Sequence, residues 1–388
     1  MRRIYLDHNA TTPVRSEAVA AMLRVLQEDW GNPSSVHWAG SAARAALARA
    51  REQVAELLGV ASDSVVFTSG ATEASNTVIR HAARRAPGQG DHVVTCSTEH
   101  PAVLEVCEEL REEGLRVTVL PVERDGRLDP ERFAAALGDD TLLASVMWVN
   151  NETGVIQPIP ELAARARAQG VPFHTDAVQA LGKLPLELAG LPVDYASFSA
   201  HKLGGPKGIG ALYVREGLRI APLLRGGPQE RRRRAGTENL PGAVGFGAAC
   251  EAAGRDMAER ARSLGALRDQ LWEGIAAKIP DAQQNGSLEH RVPHTLSVSF
   301  AGADGEALVT ALDLEGIAVA SGAACASGST EPSHVLVAMG IPQSIGAGSI
   351  RVSLGVGTDE AEITALLAVL PDTVARVREA LASGAARA

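Results

Sequence analysis

The sequence predicts an α/β protein, with a large domain built on a mostly parallel seven-stranded sheet between helices and a smaller α+β domain after it. Three observations carry that expectation. Between Ser62 and Val214, short β-branched runs alternate with stretches rich in Ala, Leu, Glu and Arg, the pattern of strands joined through crossover helices. A Gly-, Pro- and Arg-rich stretch, Arg225–Pro241, then ends the alternation. The length of 388 residues also exceeds what one hydrophobic core organises.

Taken in order, Ala39–Leu58 has helical spacing and stops at Gly59. The predicted strands are Val65–Thr68, His92–Cys96, Arg116–Leu120, Leu142–Val149, Val171–Thr175, Tyr195–Ser199 and Ala211–Val214. Asp129-Pro130 reads as an N-cap with proline at the first helical position, and Gly138 as that helix's stop. Gly114 and Gly170 read as glycines just past helix ends. A long Ala/Leu/Arg helix follows Pro241. Later strands are expected at Thr295–Phe300 and Ser349–Ser353, with helices near Glu306–Leu314 and Glu360–Leu370. The expected division is a large domain over residues 12–258 and a small one over 259–388, with residues 1–11 packing on the latter.

Apolar residues make up 45% and charged residues 21%, ordinary globular usage that excludes disordered, collagen-like and coiled-coil chains. The net charge of −9 argues against a nucleic-acid partner. No run of apolar residues reaches the roughly 18 of a membrane span, and Asp7 interrupts any secretory leader. Cys96, Cys107, Cys250 and Cys325 lie far apart with no C-x-x-C pair, which fits free thiols in a reducing, cytoplasmic setting and no structural metal site. Only Lys183, Lys202, Lys207 and Lys278 offer a lysine amine.

Ligands of open α/β sheets bind outside the carboxyl ends of the strands. After Val65–Thr68 comes Ser69-Gly70-Ala71-Thr72-Glu73, where backbone N–H groups and the Thr72 hydroxyl can meet an anion at a helix start. An ordinary βα turn reads equally well there. Later strands end in His100, in Asn150-Asn151-Glu152, in Asp176 with Gln179, and in Ser199-Ala200-His201-Lys202. A buried Asp176 needs a partner to stay ionised. A protonated pyridine nitrogen is one such partner, and a lysine imine is the usual attachment of pyridoxal phosphate. Spacing alone fits a buried Asp–Lys ion pair as well. Neither G-x-x-x-x-G-K-[ST] nor a strand-linked G-x-G-x-x-G is present, which removes the main support for a nucleotide cofactor.

Together these segments resemble the cysteine desulfurases. The resemblance is carried by Tyr5–Pro13, Gly31-Asn32-Pro33-Ser34-Ser35, Thr68–Glu73, Thr98-Glu99-His100, Val149–Gly154, His174–Gln179, Ser199–Lys202, Gly205-Pro206-Lys207-Gly208, Ala235-Gly236-Thr237 and Ser321–Ser329. It runs almost end to end and is closest to the branch serving nitrogenase and iron–sulfur cluster assembly. It implies a fold-type I transferase dependent on pyridoxal 5'-phosphate, working as a homodimer on L-cysteine and handing sulfur to an acceptor or iron–sulfur scaffold protein.

Position by position, the resemblance implies that Lys202 carries the cofactor and moves protons, while Asp176 pairs with its pyridine nitrogen. His100 stacks on the ring, and Asn151 and Gln179 lie beside it, Gln179 bonding the phenolic oxygen. Ala71, Thr72, Ser199 and His201 hold the phosphate, and Thr237 reaches the phosphate of the other subunit. Arg351 clamps the substrate carboxylate, a planar task suited to arginine, with Asn32 and Asn151 on the substrate side. No resident metal is implied.

Cys325 separates desulfuration from other chemistry on this scaffold. It lies in a tract of small residues, Val319–Thr330, that offers thiol exposure and loop mobility, as attack on sulfur requires. The implied step is attack on the substrate γ-sulfur, leaving a persulfide on Cys325 and releasing alanine; Cys325 is also a candidate transient iron–sulfur ligand. The rivals are a selenocysteine lyase, a β-lyase or an aminotransferase on the same scaffold, and a non-catalytic sulfur-assembly scaffold. Two departures from the family pattern stand out. Proline replaces an expected glycine at Pro228, and Arg231–Arg234 forms a charge run, expected to be a solvated face or else to help hold the neighbouring subunit's phosphate or an acidic acceptor protein.

Overall fold

The computed structural model describes residues 3–84, 90–322 and 333–385. After a short strand β1 (Ile4–Tyr5), seven strands build the large sheet: β2 (Val65–Thr68), β3 (His92–Cys96), β4 (Arg116–Leu120), β5 (Thr141–Ser145), β6 (Phe173–Asp176), β7 (Tyr195–Ser199) and β8 (Gly210–Val214). Their spatial order is β2-β8-β7-β6-β5-β3-β4. Strand β8 runs antiparallel to both neighbours and every other pairing is parallel. Strands β3, β5, β6, β7 and β8 are buried along their whole length, while the edge strand β4 is largely open. Helices on both faces explain why these strands read as continuous apolar runs.

Two expected strands are shifted. The run starting at Leu142 pairs as a strand only over β5, although Val146 N–H and Trp148 N–H still bond to His174 O and Asp176 O. Strand β6 begins at Phe173, not Val171, and ends on Asp176 itself. Asp129 does cap its helix, accepting from Glu131 N–H at 2.9 Å. That helix stops at Ala136, before the expected Gly138, because Leu137 turns extended. The helix ending at Leu58 closes with Gly59 at φ 64° and a Val60 N–H to Ala55 O bond, a left-handed cap that only glycine adopts at little cost.

The remaining strands are β9 (Ala282–Gln284), β10 (Thr295–Phe300), β11 (Ile317–Ala318), β12 (Ala320–Ser321) and β13 (Ser349–Ser353). Four of them form an antiparallel sheet in the order β12-β13-β10-β9. Strand β1 pairs with β11, and the chain then runs beside β13, with His8 N–H on Ser353 O and Ser353 N–H on Leu6 O. That path carries Asp7 and Asn9 to the large sheet. The helix Leu240–Lys278 passes unbroken through residue 258. Its residues up to Ala253 join the core beneath the large sheet, and those from Leu264 join the core of the small one. The last helix continues past the expected Leu370, through Pro371, to Ala385.

The Arg231–Arg234 run is solvated at Arg231 and Arg232 and half-buried at Arg233 and Arg234, and it is held by ionic contacts. Arg231 pairs with Asp63, Arg233 bonds Asp63 O, and Arg234 pairs with Glu73. Beside it, Glu230 is buried and takes Arg51 through two bonds of 2.6 and 2.7 Å. Glu230 also accepts from Phe67 N–H at 3.0 Å, and Arg51 donates to Val65 O at 2.9 Å. The pair therefore covers the outer edge of β2, which would otherwise present free strand groups. Residues 230–232 all hold positive φ, from 44° to 66°, and the ion pairs hold this strained turn in place. Glu230→Ala strands a buried guanidinium, so unfolding free energy should fall by about 3–5 kcal/mol. Denaturant unfolding checks this, and the double variant Arg51→Met/Glu230→Leu should recover part of the loss.

Candidate active site

A cleft of about 570 Å³ opens at the carboxyl ends of the strands. Five of the seven strands, β2, β3, β5, β6 and β7, deliver polar groups to it from their carboxyl ends. Ser69 and Gly70 follow β2 and lead into Ala71 and Thr72 at the start of the helix Ala71–Ala83; His100 follows β3; Asn151 follows β5; Asp176 ends β6 with Gln179 beyond it; Ser199 ends β7 with His201 and Lys202 beyond it. Arg351 enters from the middle of β13, and Asn9 and Ala10 from the N-terminal segment.

Lys202 Nζ donates to the carbonyls of Asn9 at 2.6 Å and Ala10 at 2.8 Å. Asp176 is buried, and burial pushes its carboxyl above the usual range, opposed by His100, by Val178 N–H at 3.0 Å and by Lys202. An anion in that position calls for a cationic partner inside the cleft. His100 caps the helix Pro101–Glu112, its Nδ1 accepting from Ala102 N–H at 3.1 Å. That bond places the ring proton on Nε2. Burial lowers the His100 pKa, with Asp176 acting the other way. His201 is likewise held neutral, its pKa lowered to about 4 by burial and by neighbouring lysines, with Nδ1 3.1 Å from Thr11 Oγ1.

The cleft end formed by Gly70–Thr72 suits a phosphate. The first turn of a helix of 13 residues presents unpaired N–H groups and a positive dipole end. A Cβ on Gly70 would meet nothing within 4 Å, so space stands open before that turn. Glu73 fastens the turn from behind, accepting from Ser69 N–H at 2.8 Å and from Arg234 Nε at 2.9 Å. At the opposite end, Arg351 is 3% exposed and holds Asp7 at 2.6 Å and Asn151 O at 3.0 Å. Its Nε is buried with no partner among the described residues, as expected of a group awaiting a carboxylate. Phosphate donors, a buried carboxylate, a lysine amine and an arginine in one cleft fit pyridoxal phosphate and an amino acid together.

The chain matches the family description "Aminotransferase class-V" over residues 4–366. The chain belongs to the class-V aminotransferases, a pyridoxal-phosphate-dependent family. It is 50% identical over 381 residues to a protein named cysteine desulfurase from Cereibacter sphaeroides, covering 97% of each chain. Among solved structures it resembles a "NifS-like protein" at a TM-score of 0.91 and 38% identity, covering 97% of this chain and 100% of that one. It also resembles "SspA in complex with cysteine" at a TM-score of 0.80 and 32% identity, covering 90% and 98%. The fold-type I expectation therefore holds.

Two expected site residues of this class-V chain stand outside the cleft. Asn32 is exposed, and its Oδ1 caps its own turn by accepting from Ser34 N–H at 2.9 Å. Thr237 is exposed and lines no part of its own chain's cleft. Cys325 lies outside the described residues. The described cysteines, Cys96, Cys107 and Cys250, are all buried; burial pushes the thiols of Cys96 and Cys107 up to about 12 and raises that of Cys250 as well. No cluster of metal-ligating side chains occurs among the described residues, and none of their helices is long and apolar enough to cross a membrane.

Sequence reading assigns no site role to Asp7, Asn9 or Glu99, although all three lie in segments that carry the resemblance. Asp7 and Asn9 act across more than 140 residues, one on Arg351 and one through its carbonyl on Lys202. Glu99 sits fully buried beneath the cleft, one oxygen on Met147 N–H, and burial raises its carboxyl well above the usual range. Its place in Thr98-Glu99-His100 was the only signal.

Proposed function

We propose that this class-V chain is a pyridoxal-phosphate-dependent L-cysteine desulfurase. The observation that carries the reading is the convergence of Lys202, Asp176, His100, Gln179 and Arg351 on one cleft with a helix N-terminus at its far end. Full-length similarity to proteins named cysteine desulfurase supports it. Bound there, the cofactor supplies an electron sink for charge developing at the substrate Cα. Asp176 keeps that sink protonated, and the N–H groups of Ala71 and Thr72, with Ser199 and His201, hold its phosphate.

Lys202 anchors the cofactor and afterwards moves protons at the substrate Cα. His100, fixed by Ala102 N–H with its proton on Nε2, would cover the ring. Arg351 orients the substrate through its carboxylate, with Asn151 beside it. Sulfur passes from the substrate Cβ to the Cys325 thiolate, forming a persulfide, and the carbon skeleton leaves as alanine. The persulfide then passes to an acceptor or iron–sulfur scaffold protein. The working unit is a cytoplasmic homodimer in which Thr237 serves the partner's phosphate site; exposed Leu23, Leu26, Trp30 and Trp38 support an apolar contact there.

The test is to load the purified protein with cofactor and supply L-cysteine with a reductant. Alanine and sulfide should appear in equal amounts. Pyruvate with ammonia, a keto acid, or no turnover would point instead to a β-lyase, an aminotransferase or a scaffold. Arg351→Lys keeps the charge but loses the planar fork, so KM for L-cysteine should rise about tenfold or more, measured by steady-state alanine formation.

A further inference from the structure

Lys183 does not line the cleft, yet its Nζ donates to Oε1 of Gln179, four residues earlier. The Gln179 Nε2 donates to Asn9 O at 3.0 Å, the same carbonyl that receives Lys202 Nζ. A carboxamide can rotate by half a turn and exchange its donor and acceptor. The two partners here agree on one orientation. Reversal would set the amide oxygen against the Asn9 carbonyl and deprive the Lys183 amine of its acceptor. Of the two Nε2 protons, one is engaged by Asn9, which leaves the other for the cleft that Gln179 lines.

No ion pair among the described residues accounts for Lys183. The titratable groups facing it are His8 from the N-terminal segment, His201 and Lys202 after β7, Arg260 from the long helix, His294 ahead of β10 and Arg351 on β13. All are basic, and Arg260 is itself paired with Asp256. Burial, reinforced by Lys202, Arg351 and Arg260, pushes the Lys183 amine well below its ordinary range. What Lys183 contributes in this geometry is the hydrogen bond that its Nζ donates to Gln179 Oε1. It also borders a separate cavity of about 150 Å³, so an apolar replacement has room.

We propose that Lys183 is a positioning residue that locks the Gln179 carboxamide with its free N–H toward the phenolic oxygen of the bound cofactor. The proposal rests on the pyridoxal phosphate reading of the cleft. A hydrogen bond at that oxygen favours its ionised form, so losing it raises the pH at which the visible cofactor band changes, by about one pH unit.

The experiment titrates the visible absorbance of cofactor-loaded wild type, Lys183→Met, Gln179→Leu and the double variant, without substrate. Both single variants should show the same upward shift and the double variant no more than either. Lys183→Gln, which restores an N–H donor, should return toward wild type. A Lys183→Met midpoint equal to wild type while Gln179→Leu shifts would overturn the proposal, as would full additivity in the double variant. If Lys183→Met does not load cofactor, Lys183→Ala carries the same expectation. An unshifted Gln179→Leu, or a wild type with no visible band, would instead bring down the cofactor reading itself and this proposal with it.

Discussion

Replacing Lys202 by alanine should give a folded, colourless protein whose alanine production falls at least about 10⁴-fold, since anchoring and proton transfer are lost together. The competing amine is Lys207, which also borders the cleft but is exposed in its Gly-Pro-Lys-Gly turn. Lys202 is the one held against two backbone carbonyls beside Asp176 and Gln179. Lys207→Ala should accordingly keep the visible band. Absorbance spectra and thermal unfolding of the two variants separate loss of attachment from loss of fold. A yellow, active Lys202→Ala protein would remove the amine from the mechanism.

Cys325→Ser should leave cofactor binding intact and lower sulfide release by at least about 10³-fold, because attack on sulfur requires a thiolate. None of the other cysteines can substitute. A buried thiol pushed up to about 12, as in Cys96 and Cys107, is ionised at pH 7 only to about one part in 10⁵. Lyase or aminotransferase chemistry needs no such nucleophile, and would survive the change. Undiminished sulfide from Cys325→Ser, with the cofactor band present, would transfer the chain to lyase chemistry.

The parallel sheet was legible because its strands are short and alternate with helical stretches, most of them buried; β2, β3, β4 and β7 coincide with their sequence runs. The strand beginning near Leu142 was overdrawn because residues 146–149 stay buried and apolar after regular pairing stops. Strands of two or three residues, such as β1, β11 and β12, have too few positions to show a period. In the cleft, side chains at strand ends could be read from order alone. Contributions made through a backbone carbonyl, as by Asn9, or across the whole chain, as by Asp7 on Arg351, leave no local pattern. The four-residue spacing of Gln179 and Lys183 was a usable signal that motif reading passed over. Arg231–Arg234 looked like a solvated run because Asp63 and Glu73, its partners, lie some 160 residues away in sequence.

The most direct measurement is the mass of the Cys325-containing peptide after one turnover of L-cysteine without reductant. One added sulfur atom on Cys325, matched by one alanine per active site, is the predicted result. Alanine formed with Cys325 unmodified would contradict the transfer of sulfur to this residue.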